Sequence, residues 1–480
     1  MSGNLDTYLH VTAAATGNAM PRAARCHLRL LRQPMAVAIY KLAGDAASPL
    51  AVMYGNDPAA PKLLVAPEPR SREIRFKLLN EFMLDMLTWA RSAPEGEAPQ
   101  LLVANPATAK FLGVLGRSLR HPPTGSAVPP ATVLGARHLA WLTERAEHPG
   151  SAVVVPLTGA LAQHWRTGQS DIEDTQLPAT LAWIDPPAAW SGRDAAVAAE
   201  AERRSTPAGP TSDPGWDEEL ARLVGDFNDA RGRSVDPDVV ASLAGPIVDL
   251  CQEALALTWQ DLWHGRALLL RLPTATGAAA RFAEDAAKWS DWRTYGEAPD
   301  ARIANVDSAR RATWMLDERE RAQSALEAQQ VLDDPLRFAA LEADGKALRG
   351  TVRAADYARR LVPPGGQRNV IRPLLTIDLP ATPPVRPGSD VWSVDDPRVR
   401  GCVIARREDP PQVDVELRGG LRPRTGPPAL LPGVGETARL MCLSPEPQQP
   451  TPLHELRDAW THQIPQPPAA NPAIDTDAPA

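Results

Sequence analysis

The chain has 480 residues, enough for two to four domains and a large buried core. Its net charge of −7 is uneven: +2 over 1–190, −11 over 191–345 and +2 over 346–480, so the whole chain is no obvious polyanion binder. The four cysteines (Cys26, Cys251, Cys402, Cys442) are far apart, the start lacks a signal-like basic and apolar run, and no window approaches a spanning apolar length; zinc motifs, a disulfide framework and a membrane span are excluded, and a cytoplasmic protein is expected.

Residues 1–20 are mixed in character and read as loosely held. Strand-like runs follow at 25–32, 35–40, 50–54 and 62–66, with turns at Gly44-Asp45 and at 55–58. Ser71 stands as an N-cap before a helix whose apolar positions, Ile74, Leu78, Leu79, Phe82, Met86 and Trp89, follow helical spacing. Strand and helix then alternate: strands at 100–104, 132–134 and 152–155, helices at 107–119, 138–147 and 159–166. Strands first and alternation second imply a mixed sheet flanked by helices over 21–185.

Residues 186–216 are rich in proline and alanine and read as a linker holding at most a short helix at 193–204. Residues 217–344 read as a helical bundle, with helices at 217–230, 238–271 (interrupted at Gly245-Pro246), 278–292 and 307–332. Trp259, Trp263, Trp289, Trp292 and Trp314 fall in this block and serve either as core or as a groove of aromatic anchors. Three separable units are expected, hinging near 190–215 and 335–346.

From 346 to 443 the pattern changes to short strands bounded by Gly and Pro. Gln412 to Arg418 alternates polar and apolar, which predicts a half-buried strand with Val413, Val415 and Leu417 inward. Strands are also predicted at 347–355 (with Gly350 as a bulge), 370–379, 391–393, 400–406 and 437–443. Six strands in so short a span imply a small antiparallel barrel or sandwich. The tail from 444 is Pro-rich, with a helical turn or two at 453–462. The fold class is therefore α+β and multidomain.

Chemistry is sparse. No GxxxxGK[ST] or GxGxxG occurs; Pro363-Pro364-Gly365-Gly366-Gln367-Arg368 lacks the lysine and precedes a strand, so it reads as a loop. The nine histidines do not cluster in sequence, and neither HExxH nor GxSxG is present. No catalytic residue, metal ligand or cofactor is assigned. Glu81 and Asp85 share a helix face, where Arg75 and Lys77 can neutralise them. Arginine outnumbers lysine 45 to 6, which reflects coding bias first. Arg349, Arg353, Arg359, Arg360, Arg368 and Arg372 form the densest basic segment of the last third, and Tyr357 among them offers a stacking face; these seven are the candidate nucleic-acid contacts.

Two resemblances attach to these residues. "RPLLTIDL", "PGSDVWSVDD", "VRGCVIAR", "VDVELRGGL" and "LPGVGETARLMCL" resemble the β-barrel accessory domain of superfamily 1 nucleic-acid helicases. That resemblance implies an accessory or adaptor role beside a separately encoded ATPase or nuclease, since no motor motif is present. The element order of 21–185 is similar to the ribonuclease-H-like fold, whose metal site needs three carboxylates. The first central strand has none, the fourth ends at Asn105, and only Glu81 and Asp85 are available. A divergent metal-dependent nuclease and a pure protein-interaction scaffold are the alternatives.

Overall fold

The computed structural model describes residues 3–452, except 42–47, 123–124, 126–127, 202–208, 210–213, 234–235, 299, 305, 363–364, 366, 382–384, 422–427 and 447. The expected turn at Gly44-Asp45, the helical turns at 453–462 and the rest of the tail lie outside the described residues.

The first segment is not loose. It forms α1 (Asn4–Thr16), closed by Gly17 in the left-handed region at φ 71°. Its start is fixed by the Asn4 N–H donating to Asp344 Oδ1 at 2.7 Å, a contact with no local sequence signal. After β1 (Met20–Pro21) the run 25–32 makes no strand, only an isolated bridge from Cys26 to Thr274. The reason is that Cys26 spends both backbone groups on a distant turn: its N–H donates to the Pro273 carbonyl at 2.9 Å and its carbonyl accepts from Ala275 N–H at 2.8 Å.

The mixed sheet is built from β2 (Met35–Lys41), β3 (Pro49–Gly55), β4 (Lys62–Val65), β5 (Leu101–Val103) and β6 (Val154–Pro156), in the order β4-β3-β2-β5-β6. The first three form an antiparallel meander; β5 and β6 add in parallel beside β2. Helices α2 (Arg72–Arg91), α3 (Pro106–Leu119) and α4 (Pro130–Arg145) make the crossovers. The strand expected at 132–134 is the first turn of α4. Proline at the helix start presets φ there, and Thr132 Oγ1 donates to Asn80 Oδ1 at 2.9 Å, so local β-propensity loses to helix initiation and packing.

The chain continues through α5 (Leu157–His164), β7 (Trp165–Arg166), which pairs with β1, and α6 (Leu177–Ile184). The stretch read as a linker carries α7 (Gly192–Ala201), whose Ala196 packs against Ala179 and Trp183 of α6. Then come α8 (Pro214–Gly232), α9 (Pro237–Leu270), α10 (Thr276–Gly296), α11 (Ala309–Asp333) and α12 (Pro335–Ala343). The interruption expected at Gly245-Pro246 does not occur. Both residues are exposed, where water can serve the carbonyl that proline leaves unpaired. α9 also corrects the expectation about apolar length: it is the one helix among the described residues long and apolar enough to cross a membrane. In this fold its C-terminal half lies against the sheet, with Trp259 Nε1 donating to the Pro58 carbonyl at 2.9 Å.

One continuous apolar cluster joins the sheet to the helices. Ile39, Val52, Phe82, Leu102 and Leu112 belong to it, and so do Leu255, Trp259, Leu262, Phe282 and Trp289. Of the five tryptophans singled out, Trp259 and Trp289 are buried, Trp263 and Trp292 pack on the cluster's edge, and Trp314 is exposed.

The C-terminal strands are β8 (Ala347–Asp356), β9 (Arg360–Leu361), β10 (Val370–Ile371), β11 (Leu374–Asp378), β12 (Asp390–Ser393), β13 (Arg400–Glu408), β14 (Pro411–Gly419) and β15 (Thr437–Met441). Six of them close a barrel in the order β11-β14-β13-β12-β15-β8, every pair antiparallel. The run 370–379 is split: Arg372-Pro373 interrupts it, and β9 with β10 makes a separate two-stranded ribbon. The irregularity on β8 falls at Arg353, skipped between Ala354↔Thr376 and Val352↔Ile377, and not at Gly350. Gly350 serves close approach instead: a Cβ there would sit 2.2 Å from the Asp378 carbonyl oxygen. Val413, Val415 and Leu417 point into the barrel as expected, but β14 is not half-buried. Gln412, Asp414 and Glu416 on its other face are buried too, under arginine side chains. Phe338 of α12, Val331 of α11, Ala347 and Met441 form the small cluster that seats the barrel. The architecture is α+β and multidomain, with a mixed sheet, stacked helices and a closed six-stranded antiparallel barrel.

Candidate nucleic-acid interface

Four of the six clustered arginines have partners within the protein, although Arg349 and Arg353 remain exposed. The Arg349 guanidinium lies over the Phe338 ring at 5.1 Å and pairs with Glu342 at 3.4 Å. Arg353 reaches Asp378 at 3.8 Å. Arg359 donates through Nη1 to Glu416 Oε2 at 2.9 Å and to the Arg372 carbonyl at 3.0 Å. Arg372 donates to the Arg418 carbonyl at 3.1 Å. The Tyr357 hydroxyl is hydrogen-bonded to the Pro432 carbonyl, which leaves its ring partly exposed but fixed. Arg360 and Arg368 are exposed like Arg349 and Arg353, but they differ in making no ion pair among the described residues. They sit on the ribbon, Arg360 in β9 and Arg368 just before β10.

The barrel wall explains the committed arginines. Burial pushes the Glu416 carboxyl up, but Arg359 and Arg418 outweigh it and hold the group below its usual range. Asp414 is matched by Arg407 at 2.6 Å and by the Thr376 hydroxyl at 2.8 Å. Asp396 is held down to about 2 by its Arg398 partner. Of the clustered arginines, Arg359 is thus met by Glu416 of β14, while Arg353 pairs with Asp378 of β11, Arg349 with Glu342 of α12, and Arg372 spends its guanidinium on a backbone carbonyl.

Glu81 and Asp85 are on one face of α2, as expected, but neither Arg75 nor Lys77 neutralises them. Lys62 of β4 does, at 2.9 Å from Glu81 and 2.6 Å from Asp85. Tyr54 adds a hydrogen bond to Asp85 at 2.7 Å. Partial burial raises the Asp85 carboxyl, and Lys62 and Tyr54 together bring it below its usual value. Asn105 at the end of β5 is buried and structural: its Oδ1 caps α3 by accepting from Thr108 N–H at 2.9 Å, and its Nδ2 donates to the Gly209 carbonyl.

Two buried histidine networks had no signal in local spacing, because their members lie far apart in the chain. In the first, His27 Nε2 is 3.2 Å from Asp334 Oδ2, and the same carboxylate accepts from the N–H groups of Ala24, Arg25 and Leu336. His164 Nε2 accepts the His27 N–H at 3.1 Å while Nδ1 donates to the Ala160 carbonyl at 2.7 Å, which fixes a neutral tautomer. Burial depresses His164 to about 4. In the second, Arg91 clamps both oxygens of Glu297, at 3.1 and 2.9 Å. Glu297 accepts from His138 Nε2 at 3.0 Å, and His138 Nδ1 accepts from Trp292 Nε1 at 3.1 Å. Burial lowers the His138 pKa against the pull of Glu297, so the imidazole stays neutral and keeps the lone pair that holds Trp292. No family model, no curated protein and no solved structure matches this chain.

Proposed function

We propose that the chain is a non-catalytic adaptor that touches nucleic acid through the β9–β10 ribbon and acts with a separately encoded ATPase or nuclease. The observation that carries this reading is the exposed pair Arg360 and Arg368, the two members of the arginine cluster without an acidic or backbone partner among the described residues. A two-stranded ribbon is narrow enough for a major groove, and an aromatic ring beside it can stack on an unpaired base. The position of Lys62 between Glu81 and Asp85 supports the non-catalytic part, since an ammonium stands where a divalent ion would have to sit.

The test is fluorescence anisotropy of single- and double-stranded oligonucleotides at two salt concentrations. Arg360→Ala with Arg368→Ala should weaken binding and lower the salt slope by about two units, one per lost phosphate contact. Binding that is absent at low salt, or unaffected by the double substitution, rejects the nucleic-acid role and leaves a protein-interaction scaffold.

A further inference from the structure

A cavity of about 420 Å³ opens where α4, α10, α11 and the connection 297–308 meet. Its walls combine aromatic rings with guanidinium groups. Trp141 and Trp292 lie nearly parallel, 12° apart with centroids 6.2 Å from each other, and the Tyr295 ring is 6.4 Å from Trp292. Four arginines line it, but two are spoken for: Arg120 pairs with Glu144 at 2.9 Å and Arg311 with Asp307 at 2.7 Å. Arg137 and Arg302 have no carboxylate partner among the described residues, and Arg137 Nε is buried without a hydrogen-bond acceptor. The lining thus carries two positive charges without a carboxylate partner among the described residues.

The aromatic wall is held rigid. Trp292 is fixed by the Arg91–Glu297–His138 chain, and the Tyr295 hydroxyl donates to the Arg302 carbonyl at 2.5 Å. The wall is thereby preorganised, and preorganised aromatic platforms bind flat ligands with little ordering loss. The volume lies in the lower part of the small-molecule range of roughly 300–1,000 Å³.

We infer that this cavity binds one nucleotide, with the base against the Trp141–Trp292–Tyr295 wall and the phosphate on Arg137 and Arg302. Planarity calls for the rings, and the unpaired guanidiniums supply bidentate donors for a phosphate. The site uses none of the barrel residues, so it stands whether or not the ribbon binds nucleic acid. The nucleotide can be free or a unit of a single strand, and the chemistry is shared.

The experiment is a titration of the full chain, followed by tryptophan fluorescence, with adenosine monophosphate, adenosine, inorganic phosphate and an octameric deoxyadenylate. The monophosphate should quench saturably, and adenosine and phosphate should each bind about tenfold more weakly or worse. Arg137→Ala with Arg302→Ala should weaken the monophosphate at least about tenfold with an unchanged circular-dichroism melt. Arg360→Ala with Arg368→Ala should leave that binding intact, which separates this site from the ribbon. Tighter binding of the octamer, lost in the Arg137/Arg302 variant, assigns a strand; equal affinity assigns a free nucleotide. No saturable quenching by monophosphate or octamer, or full binding by the Arg137/Arg302 variant, overturns the inference.

Discussion

The committed arginines and the buried histidines define what single side chains do here. Arg359→Ala would strip a buried carboxylate, Glu416, of one of its two guanidiniums; about 1–2 kcal/mol of stability should be lost, whereas Arg360→Ala should change stability by less than about 0.5 kcal/mol. Equal melts for the two variants would contradict this assignment. Asp334→Ala should be worse. It removes the acceptor for three backbone N–H groups and the partner of His27, a loss of roughly 3 kcal/mol in urea unfolding. His164 gives a pH dependence. Its folded pKa of about 4 lies below the free value of 6.5, so between those values the unfolded chain binds the extra proton and stability falls as pH drops. The His164 share of the loss across that window should be on the order of 3 kcal/mol; His138, also lowered by burial, adds to the slope, so His164→Gln should reduce it without abolishing it, and a slope unchanged by the substitution would assign the effect elsewhere. The arginine cluster was legible in the sequence because density is local. The neutralisation of Arg359 was not, because its partner Glu416 lies 57 residues further along the chain.

Elements with strong period were readable. The alternation in β14 and the apolar spacing of α2 each specify one face, and both faces are where the pattern puts them. Short runs were not. Residues 132–134 are β-prone in isolation, yet proline at the start of α4 and the Thr132–Asn80 bond decide for helix. At Gly350 the sequence signal was real but its meaning was steric. Gly350→Ala would force a Cβ against the Asp378 carbonyl and should unseat the β8–β11 pairing; a melting temperature lowered by several degrees is expected. An unchanged melt would show that the strand shifts freely at that point.

Across the whole molecule, the continuity of the core matters more than the composition of the connections. The sheet and α8–α10 share one apolar cluster, and α7 packs on α6 within the proline-rich stretch. A protease cut anywhere in 186–216 should therefore leave two pieces that elute together under native conditions and separate in denaturant. Pieces that part on native size-exclusion chromatography would show that the shared cluster does not hold them. The composition shift at 186–216 was visible in sequence, but which faces meet across it was not, since both sides carry apolar stripes without marking their partner.

The closure of the barrel has a consequence for how such a chain could arise. β8, where the chain enters, is the ladder partner of β15, where it leaves, with Ala347 opposite Met441. Excising everything between them would leave two ends one inter-strand spacing apart, about 5 Å. The barrel is topologically a detour: a single insertion or deletion event could add or remove it without rerouting α12. Its history can therefore be independent of the sheet and helices that carry it.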